Sequence, residues 1–370
     1  MSKFKMMLLG TVAGITAVAS APASAGEVEK TVSVAGQVAR QVMIVDDGVN
    51  TTIYGADNDN SSSRLKFTGQ AKSETLTVKA YAEFNVVDGE TTTQNTGNGS
   101  TFAMRQSYVS VANDMGTLSV GRTTAAGYTG GGKSFSGVGT HGWSDGGMTD
   151  INFIAVGTTA GMETPAYTAS GVTIGTENDS YVLGRVNTVK YASPSFNGFA
   201  FQIGMESSGT DSMGSSASGQ ISYSADYDGT KVAAAVSGNN SAAGSTTIDS
   251  EIQASLAVEL ANGLNGGAGW GKNDRVGTST VNDPEGWNAH IGYDAAMVDA
   301  GETSFKISYE ENEDRSVNGD KYEALALHVE QDLSAYGASI FGSIENHEYS
   351  TVALKYQDIT AGWVGLKVSF

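Results

Sequence analysis

From residue 76 to residue 86 the chain places Leu76, Val78, Ala80, Ala82, Phe84 and Val86 on one parity, and Thr77, Lys79, Glu83 and Asn85 on the other. Successive side chains of a strand point to opposite faces, whereas a helix has a longer period, so this stretch presents one clean apolar face only as a β-strand. The run RLKFTGQAK, from Arg64 to Lys72, alternates in the same way. Similar runs lie at 30–46, 102–113, 116–122, 184–193, 197–206, 218–227, 230–238, 250–260, 264–273, 286–294, 302–311, 320–330, 334–345 and 360–370, and no window sustains a helical stripe over three turns. The 48 glycines and 4 prolines agree, since proline interrupts a ladder and glycine suits the turns between strands. The pattern predicts an all-β chain.

The connections alternate in length. Short ones, such as Asn113-Asp114-Met115-Gly116 and Asp226-Tyr227-Asp228-Gly229, take turns with long polar ones at 88–101 and 207–219. Short turns on one side and long loops on the other is the layout of a transmembrane antiparallel β-barrel, whose tilted strands need about 9–11 residues to cross the hydrocarbon. A barrel with both ends on one side needs an even number of strands. The runs give sixteen when 347–357, with its strand-like Thr351 to Tyr356, is read as part of the last external loop or an extension of the strands flanking it.

The amino terminus precedes this pattern. Lys3 and Lys5 form a basic start, Met6 to Ala19 is apolar, and Ala23-Ser24-Ala25 supplies small residues for cleavage. This predicts a signal peptide over 1–25 and a barrel domain over 26–370, because the apolar run is shorter than the roughly 20 residues of a spanning helix. Removing the two lysines of the leader takes the formal net charge from −19 to −21, a balance that excludes nucleic acid as a partner. With no cysteine, disulfides, thiol chemistry and cysteine-held metals are excluded as well.

The last strand ends with Gly362, Val364, Leu366, Val368 and Phe370 on one parity, and Trp363, Gly365, Lys367 and Ser369 on the other. An amphipathic strand closing on a terminal aromatic resembles the assembly signal of Gram-negative outer-membrane barrels. The block Arg105-Gln106-Ser107-Tyr108-Val109-Ser110-Val111, with Gly116-Thr117-Leu118-Ser119-Val120-Gly121-Arg122 after its turn, resembles the fourth and fifth strands of general Gram-negative porins. Asn187-Thr188-Val189-Lys190-Tyr191-Ala192-Ser193-Pro194, leading to Phe196-Asn197-Gly198-Phe199, is similar to a second hairpin of that family. The resemblance implies a homotrimer of sixteen-stranded barrels in the outer membrane, in contact with lipid and lipopolysaccharide and inserted by the barrel assembly machinery. Each barrel is then a water-filled pore for passive diffusion of ions and small hydrophilic solutes. It also implies that the third loop folds into the lumen, its carboxylates facing arginines of the wall; 123–183 occupies that loop's place but is glycine-rich.

With the apolar parity of the early strands toward lipid, Arg64, Lys66, Lys79 and Arg105 face the lumen, because a charge on the lipid face at mid-depth costs about 2–4 kcal/mol. Arg122 is set beside Arg105 at the constriction, although it shares parity with Leu118 and Val120; Arg40 shares parity with Val38 and Val42. Asp145, Asp150 and Glu163 of the third loop are the opposing carboxylates. Opposed charges in a narrow lumen select ions, and the acidic chain suggests a weak cation preference. The competing reading has these arginines pairing with exposed loop carboxylates.

The segment GYTGGGKS, 127–134, fits the phosphate-cradling pattern G-x-x-x-x-G-K-[ST]. That motif needs a strand leading directly into it and a helix at its Lys-Ser end. Here Arg122 to Ala126 intervene and Phe135-Ser136-Gly137-Val138-Gly139 follows, a poor helix start. The eight residues read instead as pore-loop sequence, with Lys133 adding a positive charge near the constriction. His141, His290, His328 and His347 show no metal-binding spacing and read as solvated or wall side chains; no serine elbow is present. No cofactor is expected, although Asp46, Asp47, Asp57 and Asp59 form an acidic external loop with calcium as an alternative to simple solvation. A diffusion pore is the leading function. An outer-membrane barrel enzyme lacks a convergent catalytic set, and a secreted Gly/Asn-rich β-solenoid adhesin lacks a fixed repeat.

Overall fold

A computed structural model describes residues 27–58, 60–87, 101–128, 132–139, 151–158, 165–177, 184–207, 216–240, 248–277 and 279–370. The leader reading, Asp59, His141, Asp145, Asp150 and Glu163 lie outside the described residues.

The strands in chain order are β1 (Glu29–Asp46), β2 (Thr51–Asp57), β3 (Arg64–Lys72), β4 (Thr77–Val87), β5 (Thr101–Asn113), β6 (Gly116–Thr124), β7 (Asn152–Thr158) and β8 (Pro165–Thr173). A short helix, α1 (Ile174–Glu177), precedes β9 (Arg185–Ala192), β10 (Phe199–Ser207), β11 (Ser216–Tyr227), β12 (Thr230–Asn240), β13 (Ile248–Glu259) and β14 (Leu264–Arg275). Then come β15 (Glu285–Val298), β16 (Gly301–Glu313), β17 (Lys321–Leu333), β18 (Ala338–Ser350), β19 (Lys355–Tyr356) and β20 (Ile359–Ser369). Each wall strand pairs antiparallel with the next, β6 pairs directly with β9, and β20 closes the cylinder on β1. Counting β2 and β3 as the two halves of one strand, the wall is a closed barrel of sixteen strands.

The break between those halves is a polar knot that the sequence pattern did not reveal. The Asp57 carboxylate accepts the Ser63 N–H at 2.8 Å, the Asn58 amide donates to Gln41 at 2.8 Å, and the Ala39 N–H donates to the Ser63 hydroxyl at 3.0 Å. Asp57, expected in an external loop, therefore ends a wall strand with 1% of its surface exposed. Residues 51–57 carry no legible strand pattern, because Thr51-Thr52-Ile53-Tyr54-Gly55-Ala56-Asp57 is short and half polar. The ambiguous 347–357 stretch divides as expected: its first residues prolong β18, and β19 sits in the last loop.

Alternation fixes the two faces. On β1, Ala39, Gln41, Met43 and Val45 are buried toward the lumen, while Val38, Val42 and Ile44 are exposed on the outside. On β20, Val364, Leu366 and Val368 point outward and Ala361 and Trp363 inward. The outer wall is an apolar surface because its solvent is lipid. Phe370 does local work at the seam. Gly36 and Phe370 exchange backbone hydrogen bonds of 2.8 and 3.0 Å, and the Phe370 ring lies so close over Gly36 that an added Cβ would sit 2.6 Å from Cζ.

A second close approach occurs higher on the same seam. A Cβ at Gly365 would fall 2.3 Å from the Phe341 ring and 2.6 Å from the Arg40 carbonyl oxygen. The ring can shift but the paired backbone cannot, so Gly365→Ala is expected to destabilise the barrel by about 1–3 kcal/mol. A lower unfolding temperature in detergent would register it, and an unchanged one would mean that the seam yields.

Candidate functional site: a loop-lined pore

After Thr124 the chain turns off the wall and enters the lumen. The Ala125 N–H donates to the Gly184 carbonyl at 3.0 Å, Ala126 N–H to the Glu206 carboxylate at 2.9 Å, and Gly127 N–H to the Ser218 hydroxyl at 2.8 Å. Gly127 is glycine for a physical reason: a Cβ there would stand 2.8 Å from the Gly238 carbonyl oxygen of β12. The leg continues along the inner wall, with the Lys133 carbonyl oxygen against Gly267 of β14 and the Ser134 hydroxyl 3.1 Å from His290. Asp294 accepts the Gly137 N–H at 3.2 Å and Glu330 accepts the Gly139 N–H at 2.8 Å. Carboxylates of the wall thus clamp backbone donors of a segment too glycine-rich to hold a shape by itself.

Beyond residue 150 the loop forms a hairpin of β7 and β8 capped by α1. Ile151, Phe153 and Ile174 are fully buried against Met43, Val45, Tyr322, Phe341, Tyr349 and Trp363 from the inner faces of β1, β17, β18 and β20. The ring centroids of Phe153 and Tyr349 are 5.3 Å apart. β19 of the last loop adds a strand to β7, and Asn312 and Ser316 hydrogen-bond Glu177 at 2.8 and 2.6 Å. Burial raises the Glu177 carboxyl above its ordinary range, an effect that the Ser316 hydroxyl partly offsets. The described part of the third loop therefore covers the wall from β10 round to β1.

The β3–β5 wall carries the opposing chemistry. Arg64 and Lys66 of β3, Lys79, Tyr81 and Glu83 of β4, and Tyr108 of β5 share the inner face. A β-bulge between Glu83 and Phe84 in the pairing inserts Arg105 as an extra residue. Its guanidinium, with the side chain 15% exposed, meets Glu83 at 2.7 Å. Arg64 stands 4.0 Å from the same carboxylate, and Tyr81 donates its hydroxyl to it at 2.6 Å. Arg185, at the start of β9, lies within electrostatic reach of Arg105 and Glu83. One carboxylate is shared among several cations, so the strip stays positive.

Arg64, Lys66, Lys79 and Arg105 stand on the face expected for them. Arg122 does not: it is exposed on the parity of Val120, opposite to buried Ser119 and Thr123, because β6 continues without a bulge as far as Thr124. Arg40 is likewise outside, 4.0 Å from Asp57. Lys133 is half-buried on the loop leg beside β14. His290, His328 and His347 are inner-wall side chains. Of the candidate calcium ligands, Asp46 accepts the Gly48 N–H at 2.8 Å and Asp47 the Asn50 N–H at 2.7 Å. Among the described residues no three His, Asp or Glu side chains are arranged to hold a metal ion. The inward direction of Glu83 is legible from parity, but its role is not; Glu206, Asp294 and Glu330 carry no local signal, since their partners are distant backbone N–H groups.

Comparison with known proteins agrees with this architecture. The anion-selective porin from Comamonas acidovorans is 19% identical over 92% of this chain and 100% of its own, with a TM-score of 0.62. In-vitro folded OmpT of Vibrio cholerae, in its trimer form, is 14% identical over 92% of this chain and 99% of its own, with a TM-score of 0.61. A mutant Rhodopseudomonas blastica porin is 16% identical over 92% and 100%, with a TM-score of 0.54. No curated protein matches by sequence. A family model described as Gram-negative porin matches residues 11–351. A closed sixteen-stranded barrel with an apolar outer wall and an inward-folded third loop, matched by that family model over nearly its whole length, belongs to the Gram-negative porins of the outer membrane.

Proposed function

We propose that this porin is a homotrimeric, non-enzymatic channel through which ions and small hydrophilic solutes diffuse passively, with a weak preference for cations. The observation that carries the reading is the third loop docked on the inner wall from β10 round to β1, away from the charged β3–β5 strip. The trimer form of Vibrio cholerae OmpT supports the assembly. The cation preference is supported by the inner-face carboxylates Glu206, Asp294, Glu310, Glu330 and Glu345 and by the formal net charge, −19 for the whole sequence and more negative by the two leader lysines once 1–25 is removed. The basic strip and the anion-selective Comamonas porin pull the other way. In this reading the segment 1–25 is removed on export, Phe370 is presented to the barrel assembly machinery, the outer wall meets lipid and lipopolysaccharide, and no cofactor is required.

Reversal potential across a planar bilayer under a salt gradient tests both parts. A small cation-favouring potential is expected, and Arg105→Glu should increase it severalfold in permeability ratio by removing a cation and adding a carboxylate at the strip. A clear anion preference would overturn the selectivity, and absence of conductance from refolded trimer would overturn the channel. Asp145→Lys should shift the potential the opposite way if that carboxylate faces the strip.

A further inference from the structure

The polar lumen carries a pair of aromatic rings on the wall that the described contacts of the third loop leave aside. Tyr81 and Tyr108 are directly opposed across β4 and β5, face inward and remain part-exposed. Their ring centroids lie 5.2 Å apart with the planes tilted by 36°. The described contacts of the third loop run from β10 round to β1 and leave this patch of wall aside. Beside Tyr108 the wall is bare, because Gly121 stands opposite it and a Cβ there would fall 2.8 Å from the Tyr108 Cα.

Cations flank the rings on both sides. Toward the short-turn end, the Lys79 ammonium lies over the rings, 4.9 Å from the Tyr81 centroid and 5.8 Å from that of Tyr108, so an incoming ring would stack beside it on the remaining exposed face. Toward the loop end are Lys66, opposite Glu83 in the register, then Arg64 and Arg105. Among the described residues, Glu83 is the one carboxylate that β3–β5 present here. It is already engaged by Arg105 at 2.7 Å and by the Tyr81 hydroxyl at 2.6 Å. An aromatic face takes another flat ring in offset stacking, and an ammonium or guanidinium a few ångströms away takes a carboxylate. We infer that the β3–β5 wall is a transient binding site for small planar aromatic carboxylates passing through the pore. This rests on the channel reading above and adds a solute class to it. It coexists with a weak cation preference, because small ions sample the whole lumen whereas this site acts by dwell time on a solute that uses ring and charge together.

The test uses refolded trimer in a planar bilayer, with benzoate added on one side. Cyclohexanecarboxylate, of equal charge but puckered, and benzamide, flat but neutral, serve as comparators. Each protein is normalised to its own KCl conductance, which reports a folded, open pore. Benzoate is expected to interrupt the current with an apparent affinity about tenfold above either comparator. Tyr108→Leu should remove that advantage, Tyr108→Phe should keep it, and Lys79→Gln should weaken benzoate while leaving benzamide unaffected. Equal block by benzoate and cyclohexanecarboxylate would reduce the site to charge alone and overturn the inference, as would undiminished benzoate block in Tyr108→Leu. Trimer that conducts KCl without any response to benzoate defeats the site and spares the channel; trimer that does not conduct defeats both.

Discussion

Phe153→Ala is expected to convert a steady channel into a larger and noisier one. Phe153 is fully buried between the loop hairpin and the inner wall, with ring centroids 6.2 Å from Tyr322 and 5.3 Å from Tyr349. Removing a buried phenylalanine costs about 3–5 kcal/mol, and about 1.4 kcal/mol is tenfold in an equilibrium, so the docked-to-undocked ratio of the loop should fall by roughly two to three and a half orders of magnitude. The barrel ladder is untouched by the change and should keep its unfolding temperature to within a few degrees. Single-channel recording reads the outcome: raised mean conductance with new open-state fluctuations. Unaltered, quiet conductance would mean that the hairpin does not narrow the path.

The second large effect is expected at Glu83. Glu83→Gln leaves Arg105 and Arg64, whose side chains are only 15% and 14% exposed, without the carboxylate they share. Truncating one partner of a part-buried, hydrogen-bonded charge pair typically costs 2–5 kcal/mol, because the remaining charge keeps its desolvation penalty. Lumen water screens these groups, which places the expected loss at the lower end, about 2 kcal/mol. The variant also makes the strip more positive by one charge. Reversal potential should move toward anions, opposite in sign to the effect of Arg105→Glu. A potential unchanged from the parent would show that ions do not pass close to this strip.

Much of the wall was legible because a membrane barrel obeys one local rule, the alternation of apolar and polar side chains, over every strand. Where that rule is broken locally, sequence reading failed. At Asp57 to Ser63 a knot of side-chain to backbone hydrogen bonds splits a wall strand, and no periodicity announces it. Arg105 faces the lumen as expected, but through the bulge, since strict alternation would set it on the outward parity of Val109; at Arg122 parity pointed outward and the expectation of a constriction role ran against it. The phosphate-loop match at 127–134 was dismissed by context, and the structure supplies the positive reason for Gly127, which is contact with the β12 backbone.

The sequence by itself determined the class of the protein: period-two strands, the spacing of turns and loops and an apolar outer parity admit a membrane barrel and little else. The tertiary structure decided what the pore looks like inside. Which wall the third loop covers depends on Glu206, Asp294 and Glu330 finding backbone donors between about 80 and 191 positions away along the chain, and on Phe153 finding Tyr322 and Tyr349. Those contacts follow from closing the cylinder, which brings strands from both ends of the chain round one lumen, and no local pattern encodes where on that circle a loop will land.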